Sequence, residues 1–339
     1  MEFLPEEMKT KIKEFTIFKP KSKEELQEAV DLWCSDKKKA INKYSHISVW
    51  DTSIIDDMSD LFYKKENFND DISKWNVSNV VSTEYMFFGC INFNQPLNNW
   101  DVSNLKRTEY MFYECKNFNQ PLNNWNVSKV IEMEYFFESC ENFNQPLNNW
   151  NVSNVRTMYC LFSNCKNFNQ PLDNWDVSNV VNMCFMFVGC SSFNQPLNNW
   201  NISNVKKIAG IFTECDNFNQ SLNIWNTSNV RDMENMFFKC KNFNQNLNAW
   251  NVSNVTNMDS MFYECEKFNQ PLNNWNVINV KYMSEMFRGC INFNQSLNGW
   301  LFSNLTNTEN MLKSTKSFDR KNAWWYNFNK HRSEMYNQK

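Results

Sequence analysis

Glycine and histidine are the scarce residues of this chain, with five glycines and two histidines in 339 positions. So little glycine leaves no phosphate-cradling loop and no dinucleotide-binding fingerprint. The histidines, His46 and His331, stand one in each terminal region. Ser/His/Asp or Cys/His machinery would therefore need a long reach, and no enzyme is expected. Proline numbers eight, which together with the low glycine excludes low-complexity linkers and a disordered chain. No run of eighteen apolar residues occurs, so no membrane span is expected. A formal net charge of −3 gives no general attraction to nucleic acid or to an anionic membrane. The twelve cysteines form no CxxC pair and no Cys/His spacing, so neither zinc nor any other cofactor is expected.

What the chain has in plenty is tryptophan at a fixed interval. Trp falls at positions 50, 75, 100 and so on to 325, every 25 residues without insertion or deletion. Such self-similarity means that each unit contacts mainly its neighbours and that stacking builds one continuous core. Counting places from each Trp as zero, apolar residues sit at places 8, 11, 12 and 15, as in Met258, Met261, Phe262 and Cys265. That is the spacing of one face of a short helix. The segment Leu272–Val277 alternates apolar with polar residues and reads as a short strand with Trp275 and Val277 inward. The expected fold is thus an α/β repeat solenoid, leucine-rich-repeat-like, with one short strand and one short helix per 25-residue coil. Its parallel sheet would run along one side, on the order of 50 Å at about 4.8 Å per strand.

Three regions follow. Residues 1–47 form a helical N-terminal cap, where Ser22 and Glu25 read as a capping box before Leu26, Ala29, Val30 and Trp33. Residues 48–312 form the solenoid of about eleven repeats, and residues 313–339 a C-terminal cap with a basic tail.

Nine cysteines, from Cys90 to Cys290, share place 15 and read as small buried hydrophobes in a core column. Cys160 and Cys184 fall off that pattern and read as surface thiols on the outer side of adjacent helices, close enough to meet. The recurring Asn reads as a ladder whose side-chain amides bond the loop backbone. Asn76, Asn126, Asn151 and Asn251 each open an Asn-Val-Ser triplet, a glycosylation acceptor only in a eukaryotic secretory pathway.

The informative residues are those that change from coil to coil. On a helical wheel, places 10 and 13 point furthest from the buried stripe. They carry Tyr85, Phe88, Tyr110, Tyr113 and Tyr135, with Glu84, Glu109 and Glu134 beside them. Aromatics with a polar rim are what interfaces favour, so these five are the candidate partner-binding residues, unless the N-terminal segment or a neighbouring helix covers them. A Lys/Arg stripe at place 6 (Lys106, Arg156, Lys206, Arg231, Lys281) is interrupted by Val81, Ile131 and Val181 and reads as a solvated face.

The consensus Met-Phe-x-x-Cys-x-x-Phe-Asn-Gln-Pro-Leu-x-x-Trp-Asp/Asn-Val-Ser-Asn-Val resembles the BspA-type surface-protein repeat over roughly residues 48–312. That resemblance implies a leucine-rich-repeat-like architecture and a non-enzymatic protein-interaction scaffold, of the kind found on bacterial surfaces and in large DNA viruses. The opening residues show no basic n-region or apolar h-region. An intracellular or virion-associated protein is accordingly expected, with a cell-surface adhesin as the alternative. The stretch Leu4–Phe15 resembles the opening of an F-box, which implies a second alternative, a substrate adaptor for ubiquitin ligation. The partner is a protein whose identity the repeats do not encode, and the oligomeric state is left open.

Overall fold

Ten parallel bridges at place 7, from Asp57–Ser82 to Tyr282–Asn307, tie eleven successive coils into one stack. The computed structural model describes residues 17–303 and 305–326; the F-box-like stretch at 4–15, His331 and the basic tail lie outside them. The chain is a repeat solenoid.

Its coils, however, contain no helix and no extended strand among the described residues. At places 8 to 15 the backbone runs through consecutive turns. Within the coil that starts at Trp150, Leu161 N–H donates to Met158 C=O (3.2 Å), Ser163 to Cys160 (3.2 Å) and Cys165 to Phe162 (2.9 Å). Places 10 and 14 have positive φ in every coil, as at Cys160 (52°) and Asn164 (59°), where type II turns put their third residue. The intervening N–H groups reach the next coil instead: Cys160 to Cys184 C=O (3.1 Å), Phe162 to Met186 (2.9 Å) and Asn164 to Val188 (2.6 Å). A helix would consume these donors internally and, at roughly 10–12 Å across, could not stack at the spacing of a parallel ladder.

The expected strand is likewise two turns. Trp275 N–H bonds back to Leu272 C=O (3.2 Å) and Val280 N–H to Val277 C=O (3.0 Å). The Asn or Asp at place 1 accepts from the Ser N–H two residues on, as Asp101 does from Ser103 (3.0 Å), the local bond that favours these residues in turns. Trp and Val do face inward and are buried, but turns carry them there.

The core is a set of columns, one residue per coil. Trp150 stacks on Trp175 at 6.5 Å and 2°, Phe162 on Phe187 at 5.7 Å and 8°, and Phe168 on Phe193 at 6.0 Å and 8°. From Trp75 to Trp325 each repeat Trp indole N–H donates to the carbonyl 28 residues earlier, as Trp175 does to Leu147 (2.9 Å). The nine place-15 cysteines are buried and free, and each thiol donates to a Phe carbonyl, Cys190 to that of Phe162 at 2.9 Å. In the last coil Thr315 takes the same place and donates to Phe287 C=O at 3.1 Å. This column is therefore a row of donors as well as small hydrophobes. Cys190→Thr should keep most of the stability, whereas Cys190→Ala should lose about 1 kcal/mol with the thiol's hydrogen bond, leaving Phe162 C=O with the Cys165 N–H alone. Urea unfolding of the two variants checks this, and equal losses would show that the bond is idle.

Asparagine closes the remaining side. Asn169 Oδ1 accepts from Asn194 N–H (2.9 Å) and Gln195 Nε2 (3.1 Å), and Asn179 Nδ2 donates to Ser153 C=O (2.8 Å). The first coil packs against α1 (Lys23–Ser35) and α2 (Lys37–Tyr44). Ser22 caps α1, which buries Leu26, Ala29, Val30 and Trp33; Gln27 Nε2 donates to Leu61 C=O (3.1 Å) and Trp33 Nε1 to Asp70 (2.8 Å). At the far end a 3₁₀ turn over Arg320–Ala323 precedes Trp325, whose indole bonds Leu297 C=O at 3.0 Å.

Candidate interaction face

The turn ladder at places 6 to 14 makes one face of the solenoid, and its outward side chains are the ones that vary. Tyr85, Tyr110 and Tyr135 form one column there, with ring centroids 4.7 and 4.3 Å apart and planes within 13°. Phe88 and Tyr113 form a second, 4.4 Å apart and 5° from parallel. Tyr110 and Tyr113 join the columns at 5.8 Å. The five candidate residues thus come together on one surface. They are half-buried, because rings at coil spacing cover one another.

The columns extend beyond the five. Tyr63 stacks on Phe88 at 4.9 Å and lies 39% exposed, so the second column begins one coil earlier. Tyr159 meets the edge of Tyr135 at 5.1 Å, and Phe185 that of Tyr159 at 5.8 Å. Tyr63 shares place 13 with Phe88 and was findable by column. Tyr159 sits at place 9, outside the wheel positions that a helix singles out.

Four of these rings, Phe185 among them, occupy an uncomfortable backbone. Tyr85, Tyr110 and Tyr135 have φ near 57°, a region where a bulky residue is an outlier and Gly or Asn is preferred. The backbone does not ask for tyrosine there; stacking and surface do.

Charge surrounds the rings. Glu84 accepts from Ser82 Oγ (3.1 Å) and approaches Arg107 Nε (3.5 Å). Burial, with Glu132 and Glu84 nearby, pushes the Glu109 carboxyl up to about 7. Burial followed by Glu114 does the same for Glu138, also about 7, against a smaller lowering by Ser163. One oxygen of each lies buried without a hydrogen-bond partner among the described residues. The place-6 cations Lys106, Arg156, Lys206, Arg231 and Lys281 are all exposed along one edge.

One other expectation changes. Cys160 and Cys184 are adjacent, through the bond from Cys160 N–H to Cys184 C=O, and unbonded to each other. Yet both are only 7% exposed and are not surface thiols. Desolvation raises both thiols, Cys184 to about 11, which keeps them unreactive. His46 packs edge-on against Trp33 at 4.9 Å and pairs with Ser48 Oγ at 2.8 Å. Among the described residues no group of three His, Cys, Asp or Glu could hold a metal ion, and no helix is long and apolar enough to cross a membrane.

Among solved structures, a crystal structure of a TLR13–ssRNA13 complex matches with a TM-score of 0.23 and 11% identity over 88% of this chain. The chain spans about half the length of that matched chain (51%). At so loose a fit the solenoid rests on its own coil-to-coil bonds. No curated protein matches. A family model described as "Mycoplasma protein of unknown function, DUF285" matches residues 33–150, 132–239 and 208–325 in overlapping spans. Those spans run through the whole stack of coils, and the chain belongs to the DUF285 repeat family.

Proposed function

We propose that this chain is a non-enzymatic protein-interaction scaffold, and that the paired aromatic columns of the turn ladder are its binding surface. The observation that carries this reading is the choice of Tyr85, Tyr110 and Tyr135 at a positive φ. Bulky rings are held there at a cost of order 1 kcal/mol or more each. Aromatic residues with a charged rim are the composition of interface centres. A solenoid built of identical inward columns varies only at its outward places, so recognition has to be written there.

The test is Tyr110→Ser with Tyr113→Ser. Both places already tolerate serine: Ser260 sits at place 10 with φ 53°, and Ser163 at place 13. The double variant should fold with a thermal midpoint close to the parent's while losing its partner in a pull-down from native lysate. A partner retained in full by a folded double variant would sink the proposal. Running the chain without residues 1–47 alongside separates a partner held by the N-terminal region from one held by the ladder.

A further inference from the structure

The coil that starts at Trp200 departs from the rest of the face. At places 9 and 10 it carries Ala209 and Gly210, where the coil that starts at Trp100 has Glu109 and Tyr110. Beside the small Ala209 lies a notch of about 620 Å³, lined also by Tyr159, Cys184, Phe185, Lys207, Arg231 and Glu234. That volume falls within the roughly 300–1,000 Å³ of ligand-binding clefts. Gly210 makes room for one wall: a Cβ there would come 2.4 Å from Phe185 Cδ1. The Phe185 ring is thus laid across the glycine as one wall, with Tyr159 meeting it edge-on at 5.8 Å.

The charges around the notch are unequally committed. Glu234 is occupied by Asn235 Nδ2 (3.3 Å) and Asn257 Nδ2 (3.0 Å), and Asp232 Oδ1 by the Glu234 N–H (3.1 Å). Lys206, Lys207 and Arg231 form no ion pair among the described residues and stand exposed at the rim. The walls are apolar and aromatic, and three cations outnumber the two carboxylates, Asp232 and Glu234.

We infer that this notch is a subsite for an acidic peptide segment: one apolar or aromatic side chain enters beside Phe185, and flanking carboxylates meet Lys206, Lys207 and Arg231. The inference rests on the scaffold reading and continues the aromatic columns through Tyr135 and Tyr159. The interaction is of the anchor-and-rim type, in which a buried side chain supplies affinity and the charges supply selectivity.

Fluorescence anisotropy of the full chain with labelled Glu-Asp-Phe-Glu-Asp tests it. Saturable binding below about 1 mM is expected, weakened about tenfold or more by Ala209→Tyr. The same loss is expected from Lys207→Glu with Arg231→Glu, and from Ser in place of the peptide's Phe. Place 9 already accepts tyrosine at Tyr159, and circular dichroism confirms that Ala209→Tyr folds. No saturation by the parent up to several millimolar overturns the inference, as does binding indifferent to Ala209→Tyr. If lysate capture still depends on Tyr110 and Tyr113 while Ala209→Tyr changes nothing, the notch is wrong and the scaffold reading stands.

Discussion

Replacing Phe187 with alanine should lower the unfolding free energy by about 4 kcal/mol, a large loss for a chain whose cysteines are all free. The ring is fully buried. It stacks on Phe162 at 5.7 Å and Phe212 at 5.9 Å in the flanking coils, and on Phe193 at 4.3 Å in its own. Ordinary cores soften such a deletion by collapsing around it. Here the neighbours are pinned: Phe162 N–H donates to Met186 C=O (2.9 Å) and Phe187 N–H to Ile211 C=O (3.0 Å). The coil spacing cannot shrink, so the cavity remains. Leu312 fills the equivalent place in the last described coil, half-buried and with a neighbour on one side. Leu312→Ala should cost only about 1 kcal/mol. Denaturant midpoints for both variants, followed by circular dichroism, give the comparison. Equal losses would contradict a stack stabilised by nearest neighbours.

The inward columns were legible in the sequence, while the backbone that delivers them was not. Met258, Met261, Phe262 and Cys265 are all buried, as their spacing requires. The same spacing is satisfied by a helix and by turns that reverse every few residues, since both return the chain to one face. What distinguishes them is the pair of columns at places 10 and 14. There Asp60, Gly89, Asn164, Gly189, Gly210, Asn235, Gly289 and Asn310 take positive φ, and these residue types favour that region. Read within one coil, an isolated Gly or Asn is a weak helix breaker. Read down the column, it marks a conserved turn geometry that Tyr85, Glu114 and Lys239 must also adopt.

The same substitution of turns for helix explains the site. Tyr85, Tyr110 and Tyr135 were readable as outward and variable. Their stacking distances of 4.3–4.7 Å follow from ladder spacing, which helices would have forbidden. That tight spacing also half-buries the rings and nearly closes off Cys160 and Cys184. The notch centres on one small residue, Ala209, and becomes a feature only when Tyr159, Phe185 and Arg231 from other coils stand around it.

Glu109 and Glu138 lead to a pH dependence on that face. Each has an ordinary carboxyl value of 4.5 when exposed and about 7 in the folded chain, burial being the main cause. Below pH 4.5 both folded and unfolded chains carry the proton, and neither glutamate costs anything. As pH rises past 4.5 the unfolded chain ionises freely while the folded chain holds its protons to about 7, so stability falls across that window and levels off above it. The folded carboxyls keep part of their hydration, and screening reduces the full shift to about 1 kcal/mol each. Glu109→Gln with Glu138→Gln keeps the shape and removes the ionisation. The double variant should gain about 2 kcal/mol over the parent at pH 8 and little at pH 4.5. Thermal unfolding at the two pH values measures the difference. A gain of the same size at both would mean that hydrogen bonding by the amides is responsible, and that the buried oxygens are not held protonated in the folded chain.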